Sequence, residues 1–126
     1  MKFVATTSAP KAIGPYSQAV IEGGFLFTAG QVPFDPATGK LVEGGVETSA
    51  ERVFDNLEAI LREAGVGFAD VVKATVYLTR SEDFAPLNAV YARRFGDHRP
   101  ARSTVNVAAL PAGAVVEIDL VARCAG

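Results

Sequence analysis

The sequence has no tryptophan, and only one cysteine, one methionine and one histidine, in 126 residues. The lone cysteine, Cys124, cannot form an internal disulfide, and its isolation argues against a thiolate metal cluster. It reads as a small residue ending a strand. The lone histidine, His98, lies in the run Gly96-Asp97-His98-Arg99. It has no histidine partner for a metal centre and reads as a solvated loop residue. Long apolar runs are absent, so no segment reaches membrane-spanning length. The stretch Met1 to Val20, broken by Pro10, Gly14 and Pro15, lacks the apolar core of a signal peptide. A cytoplasmic location with no membrane partner is therefore expected. Charge excess is absent as well: the formal balance is -2, where a nucleic-acid binder would show a basic face or stripe.

Familiar catalytic motifs are missing too. Gly44-Gly45 precedes a helical pattern, but no Lys-Ser or Lys-Thr pair follows and no G-x-G-x-x-G occurs, so the pair reads as a turn rather than a phosphate cradle. Ser17 and Ser103 stand outside any Gly-x-Ser-x-Gly elbow, which argues against a serine triad.

What is present is a chain with 49% hydrophobic and 21% charged residues, the balance of a globular protein. Its length suits one domain over residues 1–126, with a core that needs neither disulfide nor structural metal. Val20 to Phe27 predicts two strands joined by Gly23-Gly24. Gln31 to Gly39, with Pro33, Pro36 and Gly39, predicts a loop. From Thr48 to Ala64, apolar residues recur every three or four positions, the period of an amphipathic helix. Thr48 and Glu51 have capping-box spacing, and Gly65 suits a left-handed stop. Val72, Ala74, Val76 and Leu78 alternate with Lys73, Thr75, Tyr77 and Thr79 as one buried and one polar strand face. A second helix is predicted over Asp83 to Phe95, with Pro86 in its first turn and Phe84, Leu87, Tyr91 and Phe95 as its packed stripe. Strands over Ala101–Val107 and Val115–Arg123, read as a hairpin, complete the pattern, with a short strand near Phe3. This order suits an α+β sandwich, with one mixed sheet and both helices on one face.

The predicted C-terminal hairpin carries the candidate chemistry. Period two puts Arg102, Thr104 and Asn106 on one face and Ser103, Val105 and Val107 on the other, apolar one. Glu117 and Asp119 share a face of the last strand, opposite Val116, Ile118 and Leu120. If the two strands are neighbours, Arg102 and Glu117 sit close together. Composition alone favours a surface ion pair worth at most ~1 kcal/mol. The alternative is a guanidinium fork that binds a substrate carboxylate through two parallel hydrogen bonds, with Glu117 as the adjacent proton acceptor.

Along nearly its whole length the sequence resembles the RidA family, the reactive intermediate deaminases. The resemblance is carried by Ala12-Ile13-Gly14-Pro15-Tyr16-Ser17-Gln18-Ala19, Thr28-Ala29-Gly30-Gln31-Val32-Pro33, Asp55-Asn56-Leu57 and Asn88-Ala89-Val90-Tyr91. Pro100-Ala101-Arg102-Ser103, Leu110-Pro111 and Val116-Glu117-Ile118 complete it. It implies a chorismate-mutase-like fold assembled as a homotrimer, with a pocket in each intersubunit cleft and no cofactor or metal. It further implies hydrolysis of 2-aminoacrylate-type enamines and their imines, released by pyridoxal-phosphate enzymes, to 2-keto acids and ammonia. This is a detoxification of reactive intermediates. Carried over residue by residue, Arg102 anchors the substrate carboxylate and Glu117 positions and deprotonates water. Tyr16, Gly30 and Asn88 line the pocket, and Thr104 contributes backbone contacts. Ala29 stands where many members carry serine, Thr104 where the best-known members carry cysteine, and Phe95 to Pro100 is shorter than in those members. These departures bear on substrate preference.

Two other functions compete. A non-catalytic, regulatory trimer that senses small carboxylates would need the same arginine. RNA cleavage or translation inhibition, attributed to some family members, would draw on Arg93, Arg94, Arg99 and Arg102, although the acidic total argues against a broad RNA surface.

Overall fold

The computed structural model describes residues 1–125 and shows a six-stranded sheet with two helices on one face. The chain begins with β1 (Lys2–Val4), followed by β2 (Ala19–Glu22) and β3 (Phe25–Thr28), which pair antiparallel. Gly23 and Gly24 link the last two with φ of 62° and 84°. Positive φ at both central residues is what a tight hairpin matching the strands' twist demands. The expected loop over Gln31 to Gly39 proves more ordered. Gln31 bridges Ile118 through reciprocal backbone bonds, and the segment enters a small hairpin of β4 (Phe34–Asp35) and β5 (Lys40–Leu41). The turn residues Pro36 and Gly39 mask these two-residue strands in the sequence.

Helix α1 (Val46–Glu63) starts two residues before its predicted boundary. Gly45 is its N-cap, and Gly44, at φ 124°, lies so close to Thr48 that a Cβ there would stand 3.1 Å from the threonine side chain. Thr48 therefore falls inside the first turn, and its capping box with Glu51 does not form. Gly65, at φ 81°, closes the helix: its N–H reaches Arg62 O, and that of Val66 reaches Leu61 O, each at 3.0 Å. This is the paired ending that satisfies orphan helix carbonyls.

Strand β6 (Val71–Leu78) carries a bulge between Val71 and Lys73. The extra residue reverses the predicted alternation at its start, so Val71 is buried and Val72 exposed. Helix α2 (Phe84–Phe95) follows a single 3-10 turn, with Pro86 in its first turn and Gly96 at its end. Its packed stripe is Leu87, Val90, Tyr91 and Phe95, whereas Phe84, predicted within the stripe, is 42% exposed. Aromatic rings of Phe54, Phe68, Tyr91 and Phe95 interlock between the helices at centroid separations of 4.6 to 5.9 Å.

The largest departure concerns the last strands, β7 (Ala101–Asn106) and β8 (Val116–Arg123). They do not form a hairpin; the order is β1-β2-β3-β8-β6-β7. A helical crossover from β6 returns the chain parallel to it, so α2 sets β7 on the outer edge of β6. The other edge of β6 remains for β8, whose Val116, Ile118, Leu120 and Ala122 are at most 1% exposed. The most apolar face thus occupies the sheet centre, and β7, with no fully buried residue, lies at the rim.

Candidate functional site

Arg102 pairs in register with the buried Ala74 and therefore points to the helix layer. There its Nη1 donates to Asn88 Oδ1 at 2.8 Å. Its Cζ stands 4.7 Å from the Tyr91 ring centroid and 5.7 Å from that of Phe84, close enough for the ring faces to hold the cation. Phe84, Asn88 and Tyr91 recur at positions i, i+4 and i+7 of α2, one helix face. That spacing was visible in the sequence, but the rings read there only as core.

The remaining arginines differ in their partners. Arg52, Arg62, Arg80, Arg93, Arg94 and Arg123 each face a carboxylate, and Arg99 donates to the carbonyls of Gly96 and His98. Among the described residues Arg102 alone is held by a neutral amide and aromatic faces. Beside it opens a shallow cavity of about 270 Å³, lined by Ser81, Phe84, Thr104, Val105 and Asn106. Two hydroxyls on this side of the sheet, Tyr91 Oη and Thr104 Oγ1, are buried without a hydrogen-bond partner. Burial also raises the Tyr91 phenol above its ordinary pKa. A buried polar atom without a partner costs about 1–3 kcal/mol, so such groups are few in native proteins.

Glu117 lies on the opposite face. Its register partner is Tyr77, and its carboxylate packs against Gly30. An ideal Cβ on Gly30 would fall 2.7 Å from Glu117 Cδ. Glycine is thus needed there for the carboxylate's approach, since the backbone has no positive φ at that position. Burial, and then the charge of Asp119, raise the Glu117 carboxyl above the ordinary carboxylate range, with no hydrogen bond opposing them. Asp119 itself accepts the Tyr77 phenol at 2.9 Å.

Within one chain the expected Arg102–Glu117 neighbourhood therefore does not exist. Strand β6 separates their strands, and the two side chains leave opposite faces of the sheet. The structure brings Arg102 and Asn88 together beside Thr104, and it brings Glu117 together with Gly30. Tyr16 stands apart in the N-terminal segment, 53% exposed, with its Oη accepting from Ile13 N at 3.4 Å. The apolar face expected for Ser103 and Val105 is the exposed one; Arg102 and Thr104 are turned inward.

Other sequence candidates acquire structural partners. His98 is half-buried and its Nε2 bonds Val71 O at 2.6 Å, which ties the 96–100 loop to the start of β6. Arg93 and Arg94 do not form a basic stripe. Both grip Glu51, at 2.6 and 2.8 Å, and Arg94 also holds Asp55 at 2.9 Å. Cys124 is buried just beyond β8. Among the described residues no helix is long and apolar enough to cross a membrane.

Comparison with known proteins places this geometry in a lineage. A family model described as Endoribonuclease L-PSP matches residues 6–124. A Bos taurus protein named 2-iminobutanoate/2-iminopropanoate deaminase is 47% identical over 121 residues, covering 96% of this chain and 88% of that one. The crystal structure of RidA from an Antarctic Psychrobacter superposes with a TM-score of 0.94 at 46% identity, over 98% of this chain and 99% of its own. E. coli TdcF with bound serine gives a TM-score of 0.93 at 40% identity and 98% coverage of both chains. A family match over residues 6–124, together with similarity to named relatives over nearly the whole chain and fold, establishes that the chain belongs to the RidA family.

Proposed function

We propose that the protein is a hydrolase of C=N bonds that converts 2-aminoacrylate-type enamines and their imines to 2-keto acids and ammonia. The observation that carries this reading is Arg102, a guanidinium oriented by Asn88 and two aromatic faces yet left without a carboxylate. A cation so held is completed by a ligand anion, and the planar fork suits a carboxylate. The bound serine of TdcF and the named activity of the bovine relative point to the same ligand class.

Glu117 supplies the other requirement. Its half-buried carboxylate, with a raised proton affinity and no internal hydrogen bond, is suited to act as a base. In the proposed reaction the enamine first takes a proton at its β-carbon to give the iminium. Water then attacks the electrophilic iminium carbon as Glu117 takes one of its protons. Glu117 returns that proton to the amine nitrogen, the carbinolamine hydroxyl gives up its own proton to solvent water as the C=O bond forms, and the C–N bond breaks with release of ammonia. Arg102 stays on the carboxylate throughout, so most of the advantage comes from holding substrate and water in place, worth ~7 kcal/mol or more in favourable cases.

Because the two half-sites leave opposite faces of one sheet, the proposed site forms between subunits. Asn88, Thr104 and Arg102 come from one copy, and Gly30, Glu117 and Tyr16 from the next. The homotrimer implied by the family supplies such clefts. The open sheet face is compatible with such an assembly, since Phe3, Phe25, Phe27 and Val105 are 70, 41, 44 and 43% exposed there, and apolar surface gathered on one face is a common mark of association. Acting on short-lived products of pyridoxal-phosphate enzymes, the protein would work in the cytoplasm as a detoxifying partner of those enzymes.

The test is a coupled assay. A serine or threonine dehydratase generates the enamine, and keto-acid release is followed with and without the protein. Acceleration by wild type that Arg102→Ala abolishes supports the proposal. Ligand binding without acceleration would make the protein a carboxylate sensor instead.

A further inference from the structure

The open sheet face holds an arrangement that deepens this reading and rests on it. Glu117 and Asp119 are successive residues of that face on β8, roughly 7 Å apart along the strand. Tyr77, opposite Glu117 in register, turns its hydroxyl away from Glu117 and donates it to Asp119 at 2.9 Å. One carboxylate is thereby latched in place by the only phenol between them, while the other is left without a donor. We infer that Asp119, fixed by Tyr77, is a positioning residue whose negative charge holds Glu117 in its proton-accepting role.

The physical basis is like-charge repulsion in a half-buried setting: a fixed anion beside a carboxylate makes its ionised form harder to reach and its proton harder to lose. The latch matters because a freely rotating Asp119 would swing toward water and lose that influence. A Tyr77 hydroxyl bonded to Glu117 would have the opposite effect and stabilise the ionised base. Among the described residues the surroundings add no competing charge at close range. Gly30 is neutral, as are Thr75 of β6 and Ser103 and Val105 of β7. Lys73, farther along this face of β6, has its Nζ turned to Ser103 Oγ at 3.2 Å. In the proposed assembly Arg102 of a second copy favours the ionised base, and it is retained in Asp119→Asn, so wild type and variant differ only at position 119. Burial raises the Glu117 carboxyl first and Asp119 second, and Tyr77 is raised chiefly by its bond to Asp119. Both directions agree with the geometry.

Asp119→Asn isolates the charge, because the amide oxygen still accepts the Tyr77 hydroxyl and the strand keeps its packing. In the wild-type oligomer with 13C-labelled glutamate, the Glu117 carboxyl is followed by NMR titration and assigned by its loss in Glu117→Gln. Asp119→Asn is expected to move that titration to lower pH, and with it the acidic limb of the kcat/KM profile. Asp119→Glu, which restores the charge, is expected to return both toward wild type. A Glu117 titration in Asp119→Asn that superimposes on wild type overturns the inference. The titration needs no turnover, so it separates this outcome from failure of the deaminase reading, in which wild type would not accelerate keto-acid release.

Discussion

At the level of single residues, the contact between Gly30 and the Glu117 carboxylate is a close approach that leaves no room for a side chain at position 30. Gly30→Ala is expected to fold normally, because the clashing neighbour is the end of a flexible glutamate rather than backbone. The new methyl would push the Glu117 carboxylate aside. Since a displacement of about 1 Å can cost about a hundredfold in rate, kcat should fall by that order while thermal stability holds; steady-state kinetics and a melting curve check both. In the proposed site Arg102→Ala removes a charge-assisted fork, with an expected loss of about 2–5 kcal/mol or some 30- to several-thousand-fold in kcat/KM. Arg102→Lys keeps the charge but not the planar fork, and it is expected to recover only part of that loss. Equal activity of the lysine variant and wild type would mean that the fork geometry is not used.

At the level of elements, the two helices are clamped by charge as well as by their aromatic core. Arg94 spans from α2 to Glu51 and Asp55 of α1, with its guanidinium 5.6 Å from the Phe54 ring centroid. Hydrogen bonds from Arg94 and then Arg93 hold the Glu51 carboxyl below its ordinary 4.5. The folded-state value is lowered, so this contribution is fully present above the unfolded value and is lost as pH falls through the folded one. Glu51→Gln is accordingly expected to lower the melting temperature at neutral pH, by an amount corresponding to about 1 kcal/mol for a partly exposed network. The difference should vanish in acid well below 4.5. A constant difference across the pH range would assign the effect to packing. The same scale explains what the sequence made legible. Periodicity located α1, α2, β6 and β8, because each has one face against a single core, and the Gly23-Gly24 and Gly65 turns followed from the backbone conformations that glycine permits. Pairing did not follow. Whether β7 joins β6 or β8 depends on where α2 returns the chain, and no local pattern records that. Arg102 and Glu117 could therefore be singled out as candidate site residues from the sequence, while their placement on opposite sheet faces could not. For the same reason Phe84, which spacing assigned to the core, lies half-exposed beside Arg102.

At the level of the whole molecule, the proposed intersubunit site makes a prediction that no single-chain site would share. Arg102→Ala subunits retain Glu117, and Glu117→Gln subunits retain Arg102; each homo-oligomer alone should be inactive in the dehydratase-coupled assay. Mixed after reversible dissociation in equal amounts, they assemble at random around a closed ring. A cleft is then intact whenever an Arg102 donor meets a Glu117 donor in the right order, which happens at about one interface in four. Activity of the mixture should rise to about a quarter of the wild-type level, while native mass measurement shows mixed oligomers. The double variant mixed with wild type serves as the control for dilution, since its subunits can complete a cleft with neither neighbour's missing half. If the two single variants form mixed oligomers that remain inactive, Arg102 and Glu117 do not meet across an interface. The arginine would then bind its carboxylate without the glutamate, and the protein's role would be recognition rather than hydrolysis.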